Sequence, residues 1–347
     1  MRIDQITPLL KYGDAISHTV LYLQERLKNT GVVSNIYTPA GKREIGGRSL
    51  DLHEFQEPGD QIIYHMFMDS QAAQFVAGLK ARQKIMVYHG IVPPEYFSDY
   101  PSRTHQLRGR EELKFLKNYM DLVITNYKYH ERELHELGFE RTLVLPPLVN
   151  LGDYDREPDP HLLKLYRDDH VNLLFAGRIS PNNKQEDIIS VFNYYHKRVN
   201  QKSRLFLVGE YRGNPGYYRK LLALVNELQI KNVFITGRVS FAQLLAYYQV
   251  SHVFLSMSEY EGTCTSLIEA MYLKVPVIAY HFGVAAEVLG EAGRLIRDKD
   301  IRETARLVDR LATGGQARER VLERQSARVA GFHPDQVFPK YQEVLNL

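Results

Sequence analysis

An alternation of short apolar runs with stretches of helical spacing constrains the fold of this chain more than any other feature, and it occurs twice. In the first half, residues 1–8, 34–38, 61–65, 84–89, 122–126 and 143–145 are β-branched or aromatic runs of strand length. Between them, 17–29, 71–82, 109–119 and 128–137 carry helical periodicity; in the first of these Val20, Leu23 and Leu27 share a face, and Gly31 follows as a stop signal. Residues 41–60 are polar and glycine-rich and read as loop, and 150–163 form an acidic, Pro-containing linker without periodicity. The alternation then resumes, with strands expected at 171–176, 204–209, 233–236, 252–256, 275–279 and 293–296, and helices at 185–199, up to 228, 241–249 and 265–273. Strands separated by helices run parallel and are covered on both faces. The expectation is an α/β protein of two Rossmann-like, doubly wound parallel-sheet domains, 1–149 and 150–334. The length of 347 residues fits two domains of about 150 each.

Composition narrows the function classes. The single cysteine, Cys264, excludes an intrachain disulfide and a cysteine-based metal site. No run reaches the ~18–20 apolar residues of a membrane-spanning helix, and the first residues lack the apolar core of a signal peptide. These points favour a cytoplasmic protein. A net charge of +3 is compatible with an anionic ligand or with peripheral contact on the inner face of a membrane, and too weak to argue for nucleic acid.

Four constellations sit at expected strand ends. In S-M-S-E-Y-E-G-T-C-T-S-L-I-E-A-M, Glu261 lies in a loop and Glu269 on the helix after it, with Leu267, Ile268, Met271 and Tyr272 on the apolar side and Thr265 or Ser266 as the expected N-cap. A loop feeding a helix N-terminus offers backbone N–H groups and a positive dipole end to a phosphate, and the two carboxylates could hold sugar and ribose hydroxyls. Gly177-Arg178-x5-Lys184 places two cations after one strand and before the next helix, where they could grip a diphosphate and neutralise it as a leaving group. Val208-Gly209-Glu210 is a strand-end turn that lets backbone approach a ligand, and Thr236-Gly237-Arg238-Val239 is another, suited to reading a base. Each has a plainer explanation as a solvated loop or tight turn; their joint placement at strand ends favours the ligand site. Asp153-Tyr-Asp155 matches an Asp-x-Asp metal motif but falls in the linker with no strand to present it.

Taken in order, F-A-G-R-x5-K, L-V-G-E, I-T-G-R-V, S-E-Y-E-G-x3-S-L-I-E-A-M and P-V-I-A-Y-x2-G-x3-E-V resemble the GT-B retaining glycosyltransferases of family GT4 over residues 173–293, about a third of the chain. Gly13-Asp-Ala-Ile-Ser17 and Tyr88-His-Gly-Ile-Val-Pro-Pro94 are similar, more loosely, to a bacterial surface-polysaccharide, mannosyltransferase-like subgroup. The resemblance implies a GT-B fold, a nucleotide-sugar donor held by the C-terminal domain, and a saccharide or lipid-linked acceptor held by the N-terminal one. It implies that Arg178 and Lys184 clamp the donor diphosphate and that Glu269 holds the ribose. Glu261 would take the donor sugar with the backbone of Gly262, Thr263, Cys264 and Thr265. Gly177, Gly209, Arg238 and Val239 would line the donor site. His89 would lie near the sugar, and Gly13 would admit the diphosphate. It further implies no cofactor and no bound metal, a final helix (335–347) returning to the first domain, GDP-mannose as the first donor to test and UDP-hexoses next.

The chain departs from the family where Thr263-Cys264 replace Phe-Gly and where Gly13-Asp14 replaces a Gly-Gly pair. Asp14 either contacts the acceptor or caps the first helix; His18, at a helix start, is the other acceptor candidate. His65 reads as a packed histidine. Arg108, Arg110, Lys114 and Lys117 read as a solvated helix face, with a membrane or an anionic lipid-linked acceptor as the alternative. The rival functions are a nucleotide-sugar epimerase or phosphorylase on the same plan and a non-catalytic nucleotide-sugar-binding protein. A dehydrogenase is disfavoured because no G-x-G-x-x-G follows the first strand.

Overall fold

A computed structural model describes residues 1–39, 45 and 47–347. The chain forms two compact units, Met1–Asn150 with Phe332–Leu347, and Leu151–Gly331. The first is built on seven parallel strands: β1 (Ile3–Ile6), β2 (Ile36–Thr38), β3 (Leu50–Asp51), β4 (Gln61–Met66), β5 (Gln83–Tyr88), β6 (Leu122–Thr125) and β7 (Thr142–Val144), in the order β3-β2-β1-β4-β5-β6-β7. The second has six: β8 (Val171–Ala176), β9 (Ser203–Val208), β10 (Val233–Gly237), β11 (Val253–Ser256), β12 (Val277–Tyr280) and β13 (Arg294–Ile296), in the order β10-β9-β8-β11-β12-β13.

Both sheets are doubly wound, as the alternation predicts. β1 and β4 are buried at every position, because helices cover both faces of a parallel sheet. One core of the first unit joins Ile63, Ile85, Val87 and Ile124 of the sheet to Val337, Phe338, Tyr341 and Leu345 of the final helix, Pro334–Leu345. The second unit packs Leu173, Phe175, Leu205, Leu207, Val253 and Leu255 against Ile188, Val191, Phe192 and Val308 from flanking helices.

Several expectations are corrected. Part of the stretch 41–60, residues 41–44 and 46, lies outside the described residues; the rest includes β3, whose Leu50 and Asp51 pair with Tyr37 and Thr38. Two residues are too few to show a period. The charged helix expected at 109–119 begins earlier and spans Tyr100–Leu116, with Asp99 accepting a hydrogen bond from Ser102 N–H and a proline in its first turn. The linker is not structureless: Leu151–Asp155 forms a 3₁₀ turn, and Asp159 caps a helix, Pro160–Tyr166. Gly283–Leu289 is a further helix without a sequence assignment.

Candidate functional site

Because every strand of the second sheet is parallel, the loops after β8, β9, β10 and β11 emerge on one edge, and these loops carry the residues singled out in the sequence. Gly177 N–H donates to Val208 C=O and Gly209 N–H to Gly237 C=O, so three strand ends are stitched side by side. The fit at Gly209 is tight: a Cβ there would stand 1.9 Å from the carbonyl oxygen of Gly177, which restricts the position to glycine.

The loop after β8 is built around buried amides. Asn183 and Gln185 both donate to the carbonyl of Arg178, at 2.7 and 2.9 Å, which fixes the backbone while the Arg178 side chain is exposed. Asn182 donates to Tyr260 C=O at 2.8 Å, and Glu259 N–H donates to Asn182 C=O at 2.8 Å. The Arg178–Lys184 loop and the Glu259–Cys264 loop are thereby bolted together.

Lys184 sits in the left-handed region (φ 51°) at the cap position of the helix Gln185–Arg198, with no side-chain cap. Its Nζ lies 3.2 Å from Glu259 Oε2. The other oxygen of Glu259 is 2.6 Å from Lys299 Nζ, which also reaches Asp187 at 2.6 Å. Burial works against ionisation of Glu259, but Lys299 and Lys184 outweigh it and hold the carboxyl below its ordinary range. Sequence reasoning missed Glu259 and Lys299; only the fold brings them to Lys184.

Glu261 is the opposite case. Burial raises its carboxyl pKa, opposed by hydrogen bonding to Ser258 and Cys264 and by the charge of Arg178. Burial also pushes the Cys264 thiol well up, with the neighbouring Glu261 charge adding to it. The expected N-cap is corrected: Cys264 (φ 48°) occupies that position before the helix Thr265–Tyr272, and no side chain caps it. Thr265 and Ser266 are first-turn residues, and a left-handed start puts their side chains outside the capping geometry.

Glu269 is held from both sides. Tyr154 O–H donates to one oxygen and Tyr248 O–H to the other, each at 2.8 Å. Tyr248 is fully buried, and its hydroxyl pKa is raised first by burial and then by the Glu269 charge. Tyr154 is the middle residue of Asp153-Tyr-Asp155; Asp155 accepts from Tyr272 O–H at 2.9 Å. The segment that reads as a metal motif therefore positions Glu269 and packs on its helix. Arg238 is exposed and Val239 half-buried just after β10.

In the first unit Gly13 adopts φ 67° in the turn before the helix Ala15–Asn29. Asp14 caps that helix, accepting from Ser17 N–H and Ser17 O–H at 2.9 Å each. His18 is exposed. His89, at the end of β5, is 2% exposed; its Nε2 lies 3.0 Å from Nδ1 of His65, itself fully buried. Burial holds both imidazoles below their ordinary pKa, His65 at about 3. On the charged helix, Arg110 pairs with Glu133 at 2.9 Å and Lys114 with Glu111 at 2.8 Å, so that face is partly neutralised within the unit.

This architecture, two parallel sheets of seven and six strands, is the GT-B fold. It aligns over the whole chain with sucrose-phosphate synthase from Thermosynechococcus elongatus (TM-score 0.77, 16% identity, 100% of both chains). It aligns equally with Anabaena Alr3699/HepE in complex with UDP-glucose (TM-score 0.78, 17% identity, 100% of this chain and 99% of the other). Residues 164–328, most of the second unit, match the family described as Glycosyl transferases group 1. In sequence the chain is 27% identical over 164 residues to a probable sucrose-phosphate synthase of Thermosipho melanesiensis, covering 45% of this chain and 37% of that protein. It is 24% identical over 186 residues to the alpha-monoglucosyldiacylglycerol synthase of Acholeplasma laidlawii, covering 51% and 46%. The chain spans less than half the length of either of these curated relatives, and neither is named as a mannosyltransferase. Among the described residues no helix is long and apolar enough to cross a membrane.

Proposed function

We propose that the protein is a retaining, metal-independent glycosyltransferase that moves a hexosyl group from a nucleoside diphosphate sugar to a saccharide or lipid-linked acceptor. One observation carries this reading. Arg178, Lys184, Glu261 and Glu269 stand on two loops and one helix start at the same sheet edge, with Asn182 joining the loops. Lys184 and Arg178 would take the diphosphate, where charge builds as the glycosidic bond breaks. Glu269, its carboxylate oriented by two tyrosine hydroxyls, would accept from the ribose hydroxyls. Glu261 and the backbone through Thr265 would hold the sugar, and Arg238 and Val239 would face the base. Within the first unit, the exposed His18 would meet the acceptor, while Asp14 serves as the cap of its helix.

Loss of the diphosphate leaves an oxocarbenium-like sugar. The acceptor hydroxyl attacks from the face the diphosphate leaves, and a leaving-phosphate oxygen takes its proton. Isolation of a covalent glycosyl-enzyme would overturn this route. The names of the matched proteins support a glucosyl donor, which places UDP-hexoses ahead of GDP-mannose. The diacylglycerol synthase similarity supports a lipid-linked acceptor, and the proposal extends to peripheral contact on the cytoplasmic face of a membrane.

Calorimetric titration with UDP, GDP, ADP and dTDP without metal, repeated on Glu269→Ala and Lys184→Ala, tests the donor site. Tight binding of one nucleotide, weakened in both variants, is expected. Folded protein that binds none of them would overturn the proposal.

A further inference from the structure

Lys184, which the proposed function assigns to the diphosphate, already has an anion beside it. Glu259 Oε2 lies 3.2 Å from its Nζ, and Glu259 Oε1 lies 2.6 Å from the Nζ of Lys299. A carboxylate at such a place works against a diphosphate, because the two anions repel each other and seek the same cation. Lys299 offsets this. It lies just past β13, reaches Asp187 in the first turn of the helix Gln185–Arg198 at 2.6 Å, and stands 4.6 Å from the centre of the Tyr280 ring at the end of β12. Burial works against the ionisation of Glu259, and of the two lysines that reverse this Lys299 contributes more than Lys184. The two sides of Glu259 also differ in freedom. Its backbone N–H donates to Asn182 C=O at 2.8 Å, and Lys299 is held by two carboxylates and a ring, so this side is fixed. Lys184 reaches over on a flexible four-carbon stem and makes the longer contact, with 27% of its side chain and 30% of that of Glu259 exposed. A pair screened to this extent is weak and exchangeable.

We propose that Glu259 is the resident counter-ion of Lys184, displaced from it by the diphosphate, and that Lys299 is a positioning residue that holds Glu259 in place and neutralised during the exchange. Neither Glu259 nor Lys299 touches the ligand in this scheme; both act through Lys184. Without Lys299, the Glu259 carboxylate would have Lys184 as its remaining cation of this pair and would face the incoming diphosphate uncompensated. The exchange also runs in reverse. Breaking the bond to the sugar leaves a nucleoside diphosphate with one more ionisable oxygen than the nucleotide sugar, so the product grips a cation harder than the donor does. Glu259 stands ready to take Lys184 back as that product leaves. The inference rests on the proposed transferase function, in which Lys184 binds the diphosphate.

Calorimetry with UDP, GDP and UDP-glucose on wild type, Glu259→Gln, Lys299→Met and the double variant tests this. Glu259→Gln removes the competing charge and should tighten nucleoside diphosphate binding about threefold to fivefold, the value of a partly exposed ion pair. The gain should be larger for UDP than for UDP-glucose, which carries the smaller charge. Misfolding cannot produce tighter binding, so this result needs no further control; unchanged or weaker binding would overturn the counter-ion role. Lys299→Met should weaken binding about tenfold. Adding Glu259→Gln to it should restore affinity to within about twofold of Glu259→Gln alone, because the charge that Lys299 neutralises is then gone. A Lys299 that only packs on Tyr280 and Asp187 would give no such rescue, and a loss that Glu259→Gln leaves in place would overturn the positioning role. Wild-type protein that binds no nucleotide would overturn this inference together with the transferase reading. Nucleotide binding that Lys184→Ala weakens but Glu259→Gln leaves unchanged would overturn the inference alone.

Discussion

The helices Ala15–Asn29 and Thr265–Tyr272 each follow a parallel strand, yet they begin in opposite ways. Asp14 closes the first, occupying Ser17 N–H and the Ser17 hydroxyl. The second starts from Cys264 in the left-handed region with no side-chain cap, and the helix Gln185–Arg198 does the same from Lys184. Lys128–Glu136 and Pro215–Glu227 also lack a side-chain cap, but their cap residues have negative φ, and the uncapped helix Gln316–Val329 starts from a glycine, Gly315, which takes positive φ without strain. Among the described residues only Lys184 and Cys264 combine a left-handed, non-glycine backbone with an uncapped start. Such a residue costs on the order of 1–3 kcal/mol, and the forgone cap about 1 kcal/mol more. The first unit uses its helix start for stability. The second forgoes that stability at two neighbouring starts: the Tyr217 hydroxyl takes Gln185 N–H in place of a local cap after Lys184, and no cap side chain closes the start after Cys264, at the edge where Arg178 and Lys184 stand.

The largest expected effect follows from that difference. Lys184→Ala and Arg178→Ala should each lower kcat of sugar transfer by about 10²–10³ if this edge receives a diphosphate; single-turnover assays that show both near wild type would remove the functional half of the comparison. Tyr248→Phe deletes one of two hydroxyls on Glu269, a charged hydrogen bond, and should weaken nucleotide affinity about tenfold or more by calorimetry. Unchanged affinity would mean that Glu269 is not a ligand contact. Asp14→Ala should cost roughly 1 kcal/mol in urea unfolding. The smallest effect is the sharpest: Lys184→Gly relieves the left-handed strain and should leave stability unchanged or raise it by about 0.5–1 kcal/mol while activity falls. A loss equal to that of Asp14→Ala would show that the two starts do not differ in kind.

Much of this was legible in sequence for a physical reason. Strand and helix periods differ, so β8 is read at its observed bounds, 171–176, and glycines and charges at strand ends mark loops whose position a parallel sheet dictates. What was not legible divides in two. Some signals were present but weak: Asp99 before a proline marks the true start of Tyr100–Leu116, and Asp159-Pro160 marks a helix inside the linker, yet neither is followed by an apolar period at once. Other features have no local signal. Tyr154 reaches Glu269 across 115 positions of sequence, and Lys299 reaches Asp187 across 112. Gln5 and His65, 60 positions apart, touch only because β1 and β4 are neighbours. Local pattern predicts elements and their edges; contacts that orient a side chain depend on which elements the sheet order brings together.

The final helix, Pro334–Leu345, belongs to the core of the first unit although the whole second unit intervenes in the chain. During synthesis this reverses the usual order, in which the leading domain completes first. Leu151–Gly331 is continuous and can close as soon as it leaves the ribosome, whereas the first unit must wait with Ile63, Ile85 and Ile124 incompletely covered until Val337, Phe338 and Leu345 arrive. The earlier-made half is thus the later-finished one, and it passes synthesis as the species exposed to aggregation and chaperones. Limited proteolysis of a chain ending at Gly331 should find the second unit protected and the first cut; equal protection of both would contradict this order.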